Sequence, residues 1–299
     1  MAVTAATMTG DFAGFLKPDQ AEAYFNQARR NSVVQSLARK VPLGINGQEI
    51  PVITSKATAG WVAEGGKKPA SKGAIGLKTI SPKKIAAIAV VSAEVVRANP
   101  GNYVELFKQD IAEAMALAFD AAALYGTNTP FGAGNYIGAT TKSVEIGSTA
   151  AAAGGVYGDV VAGLKLLVED GKKLNGFAFD ATAEPTFLGA TDLNGRPLFV
   201  DSPFEDSILT AGKLLGRNAY LGEGVGDGAT VQGFGGDWSQ VVWGAVGGIS
   251  YDVSTQATVT VNGELTSLWE NNLVAIRAEA EYGLLVNDNQ AFVKYVDAV

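Results

Sequence analysis

The sequence contains neither cysteine nor histidine. Without cysteine there is no disulfide, no thiolate nucleophile and no cysteine-ligated metal. Without histidine the chain lacks the commonest general base and the commonest ligand of transition metals, so a Ser-His-Asp triad is excluded. Catalysis would have to depend on carboxylates, lysine or tyrosine. We therefore predict a protein that is not an enzyme and that holds no cofactor and no metal.

Long hydrophobic runs are also missing. No segment approaches the roughly 20 apolar residues of a membrane helix, and the N-terminus lacks the basic and apolar regions of a secretory signal. We expect no membrane partner and synthesis in the cytoplasm. With 47% hydrophobic and 18% charged residues, the 299-residue chain has the composition of a globular protein with a sizeable core.

Positive charge is scarce, and much of it lies in one stretch. The chain has 23 Lys and Arg against 30 Asp and Glu. Residues 56–84 hold seven lysines and a single acid, so this stretch carries a net charge of +6 and the remainder carries −13. A basic segment on an acidic body is suited to bind nucleic acid or the acidic surface of another copy. A solvated lysine-rich loop is the simpler alternative.

One of the four tryptophans, Trp61, lies in the stretch WVAEGGKKPASKG (61–73), which has almost no apolar residue to bury it. Extended patterns on both sides predict that residues 52–91 form two long strands joined through this tip. Arms of about 12–15 residues would reach roughly 40–50 Å at ~3.3 Å per residue. Because isolated hairpins are marginal in water, we expect this one to rest on another surface.

A long helix is predicted from Asn102 to Tyr125. Asn102 and Glu105 resemble a capping box, and Gly126 is a suitable end. Apolar residues recur in steps of three and four and predict one buried face: Val104, Phe107, Ile111, Ala114 and Ala118, continued by Ala122. Further helices are predicted over 18–40 and 157–169, and strands over 177–180 and 273–286. The elements follow no regular alternation, so we predict an α+β fold.

Motifs for chemistry are weak. The glycine-rich stretch GEGVGDG (222–228) does not match a phosphate-binding loop. A glycoside hydrolase acting through two carboxylates is an alternative from another class. Its candidate acids are Glu169, Asp170, Glu223 and Asp227, and only Tyr220 lies close in sequence as an aromatic platform.

Several stretches, taken together in order, resemble the major capsid proteins of tailed bacteriophages with the Hong Kong 97-like fold, in the form common among phages of actinobacteria. The stretches are SVVQSLARKVPL (32–43), WVAEGGKKPAS (61–71), TISPKKIAAIAVVSAEVV (79–96), YGDVVAGLKLLVEDGKKLNGFAFD (157–180), TDLNGRPLF (191–199), GGDWSQVVWG (235–244) and ENNLVAIRAEAEYGLLVNDNQAFVKY (270–295). The resemblance runs from about Lys17 to Val299.

The resemblance implies a domain organisation and a function. The expected parts are an N-terminal arm and helix (1–45), an extended-loop hairpin (46–91), a peripheral domain with a spine helix (92–126 plus 266–288) and an axial domain (127–265 plus 289–299). The expected function is self-assembly, through hexamer and pentamer contacts, into the icosahedral head of a tailed double-stranded DNA phage. The protein would reside in the virion after assembly in the host cytoplasm. The alternative on the same fold is the shell protein of an encapsulin-type nanocompartment.

The resemblance also implies contacts and partners. The hairpin would lie across a neighbouring subunit, with its basic tip against acidic surface; the expected contact residues are Trp61, Glu64, Lys67, Lys68 and Lys72. Some relatives carry a long helical scaffold segment ahead of the arm, and this chain has only about seventeen residues there. We therefore expect a portal and a separate scaffolding protein, unless an upstream segment was removed; decoration proteins are left open. The acidic wall would enclose DNA without specific binding.

Covalent crosslinks are a further implication, because some relatives join a loop lysine to an asparagine with the help of a glutamate. The donors here would be Lys67, Lys68 or Lys72. The acceptors would be Asn271, Asn272, Asn287 or Asn289.

Overall fold

The computed structural model describes residues 32–68, 70–98, 103–150, 153–191, 199–201 and 210–297. The helices are α1 (Val33–Leu37), α2 (Ala93–Ala98), α3 (Tyr103–Tyr125), α4 (Gly155–Glu169) and α5 (Glu184–Leu188), with 3₁₀ turns at Ile137–Ala139, Ala181–Ala183, Trp238–Gln240 and Asn289–Ala291. The strands are β1 (Arg39–Lys40), β2 (Gln48–Ser55), β3 (Ala74–Ile80), β4 (Lys83–Ser92), β5 (Ser143–Ile146), β6 (Gly176–Phe179), β7 (Phe199–Asp201), β8 (Thr210–Leu214), β9 (Arg217–Leu221), β10 (Val231–Gly236), β11 (Val241–Ala245), β12 (Ser250–Ser254), β13 (Thr258–Val261), β14 (Glu264–Ser267), β15 (Leu273–Val286) and β16 (Phe292–Asp297).

Two sheets form the body of the chain. A five-stranded sheet is built on β15, whose 14 residues pair with β4, β11 and β12, and β1 adds to β11 in parallel. A seven-stranded sheet has the order β5-β16-β10-β6-β9-β8-β7. Two separate hairpins, β2–β3 and β13–β14, complete the strands. No helix within the ranges given above is long and apolar enough to cross a membrane.

Helix α4 covers the seven-stranded sheet. Its buried Val160 and Leu167 share one core with Phe177, Phe179 and Tyr295 of the sheet. The close approach depends on a glycine in the middle of the helix: a Cβ built on Gly163 would lie 2.2 Å from the Tyr295 hydroxyl oxygen. The helix predicted over 157–169 is thereby confirmed, since α4 spans Gly155–Glu169.

Helix α3 confirms the long predicted helix, but its buried face differs from the predicted one. Ile111 is buried as predicted, whereas Ala114 and Ala118 are exposed. Met115 and Phe119 are buried instead, because the residues of α3 that pack against the sheet are those at positions 111, 115 and 119. Phe107 is half-buried against the same cluster. The side chain of Val104 lies outside the described residues.

The hairpin predicted over residues 46–91 is divided in the structure. Strands β2 and β3 pair with each other only as far as Ile80. Strand β4, expected to continue the return arm, instead pairs with β15 over ten residues. Pro82 stands at the break, where it cannot donate to a strand ladder. The paired arms therefore contain eight and seven residues, which span roughly 25 Å rather than the predicted length.

Two other expectations also change. The predicted helix over 18–40 is reduced in the described region to α1, because Ser32 is extended at φ −64° and ψ 122° and acts as its N-cap; residues 18–31 lie outside the described ranges. The predicted axial segment 127–265 includes β11 and β12, yet both strands pair with β15. Strands of the two predicted segments therefore share one sheet, and the bounds of the domains stay a prediction.

Candidate subunit-contact surface

The tip of the β2–β3 hairpin presents Trp61 to solvent. Its relative accessibility is 106%, so the side chain touches almost nothing. Among its described residues, the tip between Ser55 and Ala74 bonds within itself: the Ser71 hydroxyl accepts from the Thr58 N–H and donates to the Thr58 carbonyl, both at 3.0 Å. A turn that follows Trp61 places Glu64 at the surface, where Gly66 N–H donates to the Ala63 carbonyl. The indole is therefore a large apolar side chain that the described part of the chain leaves uncovered.

The predicted contact lysines, Lys67, Lys68 and Lys72, are also exposed. Within the described ranges, none of their side chains forms a salt bridge. Three like charges beside one tryptophan give the tip a positive field that favours an acidic partner.

One face of the hairpin is apolar and uncovered, which the sequence reasoning missed. Ile53 lies opposite Ile75, and Pro51 lies opposite Leu77. Ile53, Ile75 and Leu77 are each between 63% and 72% exposed. A signal was present in β3, where Ile75 and Leu77 alternate with Gly76 and Lys78, whereas the apolar residues of β2 are consecutive. The opposite face, which holds Val52, is half-buried.

A second exposed tryptophan lies at the β13–β14 hairpin, and no sequence argument had singled it out. Trp269 is 72% exposed and Leu265 is 80% exposed. Glu264 and Glu270 are exposed beside them in sequence. This corner therefore combines apolar surface with negative charge, the opposite sign to the tip.

The proposed crosslink acceptors all make hydrogen bonds within the chain. The amides of Asn271 and Asn287 donate to the Ser267 carbonyl and the Gln240 side chain, at 2.9 and 2.8 Å. The Asn272 amide donates to the Glu94 carboxylate. The fourth candidate, Asn289, accepts from the Gln290 amide at 3.5 Å. In the described part of the chain, no tip lysine contacts any of them.

Two of the carboxylates considered for hydrolysis, Asp170 and Asp227, have pKa values below the ordinary value. The hydrogen bond and charge of Lys142, 2.7 Å away, hold the pKa of Asp170 below its ordinary value. Burial alone would raise the pKa of Asp227, but hydrogen bonds from the backbone N–H groups of residues 229–231 hold it low. A general acid of a glycosidase needs a raised pKa. Glu169 pairs with Lys165 at 3.8 Å, and Glu223 is exposed.

The glycine-rich loop 222–228 is held by an internal carboxylate. Gly224 and Gly226 donate their backbone N–H groups to Asp180 at 3.2 and 3.0 Å. A phosphate loop would use such amides for its ligand. The loop therefore has a structural explanation.

A buried carboxylate, Asp120, connects α3 to α1 and was not singled out by the sequence. It is 3% exposed and accepts hydrogen bonds from the Val33 and Val34 N–H groups at 2.8 and 3.3 Å. Burial raises the pKa of Asp120 to about 6, although its hydrogen bonds act in the opposite direction.

Comparison with known proteins agrees with the fold. Residues 13–297 match the model of the phage capsid family. The chain is 46% identical to the probable major capsid protein gp17 of Mycobacterium phage D29, over 97% of this chain and 93% of that one. It is 45% identical to the corresponding protein of Mycobacterium phage L5, over 96% and 91%. The chain therefore belongs to the phage capsid family, as the resemblance predicted.

A solved structure carries the same fold. A chain from Mycobacterium phage Bobi superposes with a TM-score of 0.76 at 20% identity, over 99% of this chain and 100% of that one. The predicted α+β fold class is confirmed by this match. The nanocompartment and hydrolase alternatives are not favoured, because the relatives are phage capsid proteins.

Proposed function

We propose that this chain is the major capsid protein of a tailed phage and that its copies assemble into an icosahedral head enclosing double-stranded DNA. The role is structural, through hexamer and pentamer contacts, with no catalytic turnover. The observation that carries the proposal is the fully exposed Trp61 at the end of a two-stranded hairpin that shares no ladder with either of the larger sheets. Such a hairpin becomes stable when a neighbouring subunit covers it.

The contact proposed here has an apolar and an electrostatic part. Ile53, Ile75 and Leu77 would lie on the neighbour, with Trp61 and Glu64 at the end of the contact. Lys67, Lys68 and Lys72 would face acidic surface, for which the Trp269 corner has a suitable charge. Aromatic anchors in desolvated centres carry most of the binding energy of interfaces, often 2 kcal/mol or more each.

We further propose the roles of the two sheets. The five-stranded sheet with α3 would form the peripheral domain, and the seven-stranded sheet with α4 would form the axial domain around five-fold and six-fold axes. Flexible joints between such parts suit identical copies that close into two ring sizes. A scaffolding protein, a portal and decoration proteins are proposed partners in the host cytoplasm.

Replacing Trp61 tests the proposal. Because the side chain is exposed in the single chain, Trp61→Ala should leave the free energy of unfolding of the dilute subunit within about 0.5 kcal/mol of the parent. The loss of an interface anchor should raise the concentration needed for assembly by at least about 10-fold, since 1.4 kcal/mol corresponds to that factor. Sedimentation velocity and electron microscopy of particles measure the effect. Trp61→Phe is the conservative control.

Normal assembly of Trp61→Ala would contradict the proposed contact. Particles that contain a packaged enzyme and no route for DNA would contradict the phage assignment. Tight binding of purified subunits to duplex DNA at physiological salt would contradict the acidic, non-binding wall.

A further inference from the structure

The end of the hairpin nearest the body, which we call its root, lies over a small depression in the five-stranded sheet. Gly244 of β11 and Gly283 of β15 are register partners, so two neighbouring positions lack a Cβ. Leu43, which precedes the hairpin, and Ile80, the last residue of β3, lie over them and are 8% and 0% exposed. Added Cβ atoms would approach Leu43 to 2.9 Å at Gly244, and both Leu43 and Ile80 to 2.8 Å at Gly283.

A single polar tether lies beside this depression. Lys78 Nζ donates a 2.7 Å hydrogen bond to the backbone carbonyl of Asn287. Asn287 is itself fixed, because its N–H and its side-chain amide both bond to Gln240 at 2.8 Å. Among the described residues, no other hydrogen bond joins β2 or β3 to the body of the chain.

Because these contacts lie at one end of the hairpin, a small movement there becomes a larger movement at the other end. The β2–β3 sheet shares no ladder with the five-stranded sheet, so its direction depends on the root. Lys78 is two residues from Ile80, about 7 Å along the strand, whereas Ala74 is about 20 Å away. A shift of about 1 Å at the tether would therefore move the end of the paired strands by about 3 Å.

We propose that Leu43 and Ile80 in the Gly244–Gly283 depression form the pivot of the hairpin, and that the Lys78–Asn287 hydrogen bond is the tether that sets its angle and thereby the size of the shell. The first half concerns the subunit alone. The second half rests on the proposed function, since the hairpin must contact a neighbour for its angle to influence the curvature between copies. Lys78 is thus a positioning residue rather than a contact residue.

The absence of cysteine allows a direct test of the pivot in the dilute subunit. Spin labels at Ala59→Cys in the tip and Ala162→Cys on α4, both exposed positions, report the distance between hairpin and body by pulsed electron paramagnetic resonance. Lys78→Met keeps the aliphatic stem but removes the donors, and should at least double the width of the distance distribution. Lys78→Arg should restore the parental width. Lys213→Met, an exposed lysine on β8, is the matched control.

Gly283→Ala supplies a second variant, because its Cβ would push Ile80 and Leu43 out of the depression. We expect this variant to shift the mean distance between the two spin labels, and not only to widen the distance distribution. Unchanged distributions in both Lys78→Met and Gly283→Ala would overturn the pivot and the tether.

Assembled particles test the second half. Lys78→Met shells should show a broader range of diameters in electron micrographs than the parent, with Lys78→Arg close to the parent. A broadened distance distribution with unchanged diameters would overturn the link to shell size, while Trp61→Ala separately tests the contact. If Trp61→Ala assembles normally, the proposed contact fails, and the labelled subunit still decides the pivot.

Discussion

Ser32 and Asp120 lie 88 residues apart in the chain, yet the Ser32 hydroxyl donates a 2.5 Å hydrogen bond to the Asp120 carboxylate. The same hydroxyl accepts from the Gln35 N–H and so caps α1 from within. Helix α1 has only five residues, too few to be stable alone. Its position therefore depends on a carboxylate supplied by α3.

Removing this carboxylate should destabilise the subunit. Asp120→Ala leaves the Ser32 hydroxyl and two backbone N–H groups buried without an acceptor, so we expect a loss of at least about 2 kcal/mol in the free energy of unfolding. Urea unfolding of the dilute subunit measures it. Asp110→Ala, at an exposed position of the same helix, should change the stability by less than about 0.5 kcal/mol. Equal effects of the two variants would refute the role of Asp120.

The pH dependence of stability should reveal the same group. The pKa of Asp120 rises from 3.8 to about 6 on folding, so between these values the folded state binds a proton that the unfolded state does not. The contribution is complete well below pH 3.8 and is lost as the pH rises through about 6. The stability of the parent relative to Asp120→Asn should therefore fall by about 2 kcal/mol from pH 4 to pH 7. A flat difference would mean that the carboxyl titrates normally.

The close contact between α4 and its sheet predicts that replacing Gly163 by alanine lowers the stability of the subunit. Alanine normally favours a helix over glycine by about 1 kcal/mol, but Gly163→Ala would force its Cβ against Tyr295. We expect a loss of about 1–3 kcal/mol from overpacking. Tyr295→Phe removes the nearest atom, so the double variant should recover part of the loss. Gly248→Ala, where a Cβ meets nothing within 4 Å, is the control for the substitution itself.

Charge reversal at the tip should weaken assembly in a salt-dependent way. Lys67→Glu with Lys68→Glu replaces two positive charges that we propose face acidic surface, so the concentration needed for assembly should rise by about 10-fold or more at low salt. The difference from the parent should shrink as salt is added, because exposed charges are screened. Light scattering across a salt series measures this. Lys213→Glu makes the same change outside the basic stretch and should have little effect.

Particles boiled in detergent should give a monomer band on a gel. A crosslink at Asn272 would need a nearby carboxylate to accept a proton from lysine, and Glu94 bonds to that amide. Hydrogen bonds from its own backbone and neighbouring groups lower the pKa of Glu94, which makes it a weak base. A ladder of multimers, abolished by Asn272→Ala and by Glu94→Gln, would show that the reaction occurs.

The helices and strands that depend on a local pattern of apolar residues could be predicted from the sequence. The period of apolar residues indicated α3 and α4, and apolar residues alternating with Arg277, Glu279 and Glu281 indicated β15. The exposure of Trp61 followed from the absence of apolar neighbours in its own stretch. The return arm of the hairpin was predicted wrongly, because the preference of β4 for β15 involves residues almost 200 positions away.

The sequence by itself determined the family, through the order of its stretches, and excluded histidine and cysteine chemistry, because side chains that are missing cannot act. Only the tertiary structure decided that Ala118 is exposed while Phe119 is buried, that Asp120 holds α1, and that Gly244 and Gly283 seat the root of the hairpin. Each of these depends on which distant strand or helix packs against the residue. That choice is made by the free energy of the whole core, to which a local pattern contributes only a part.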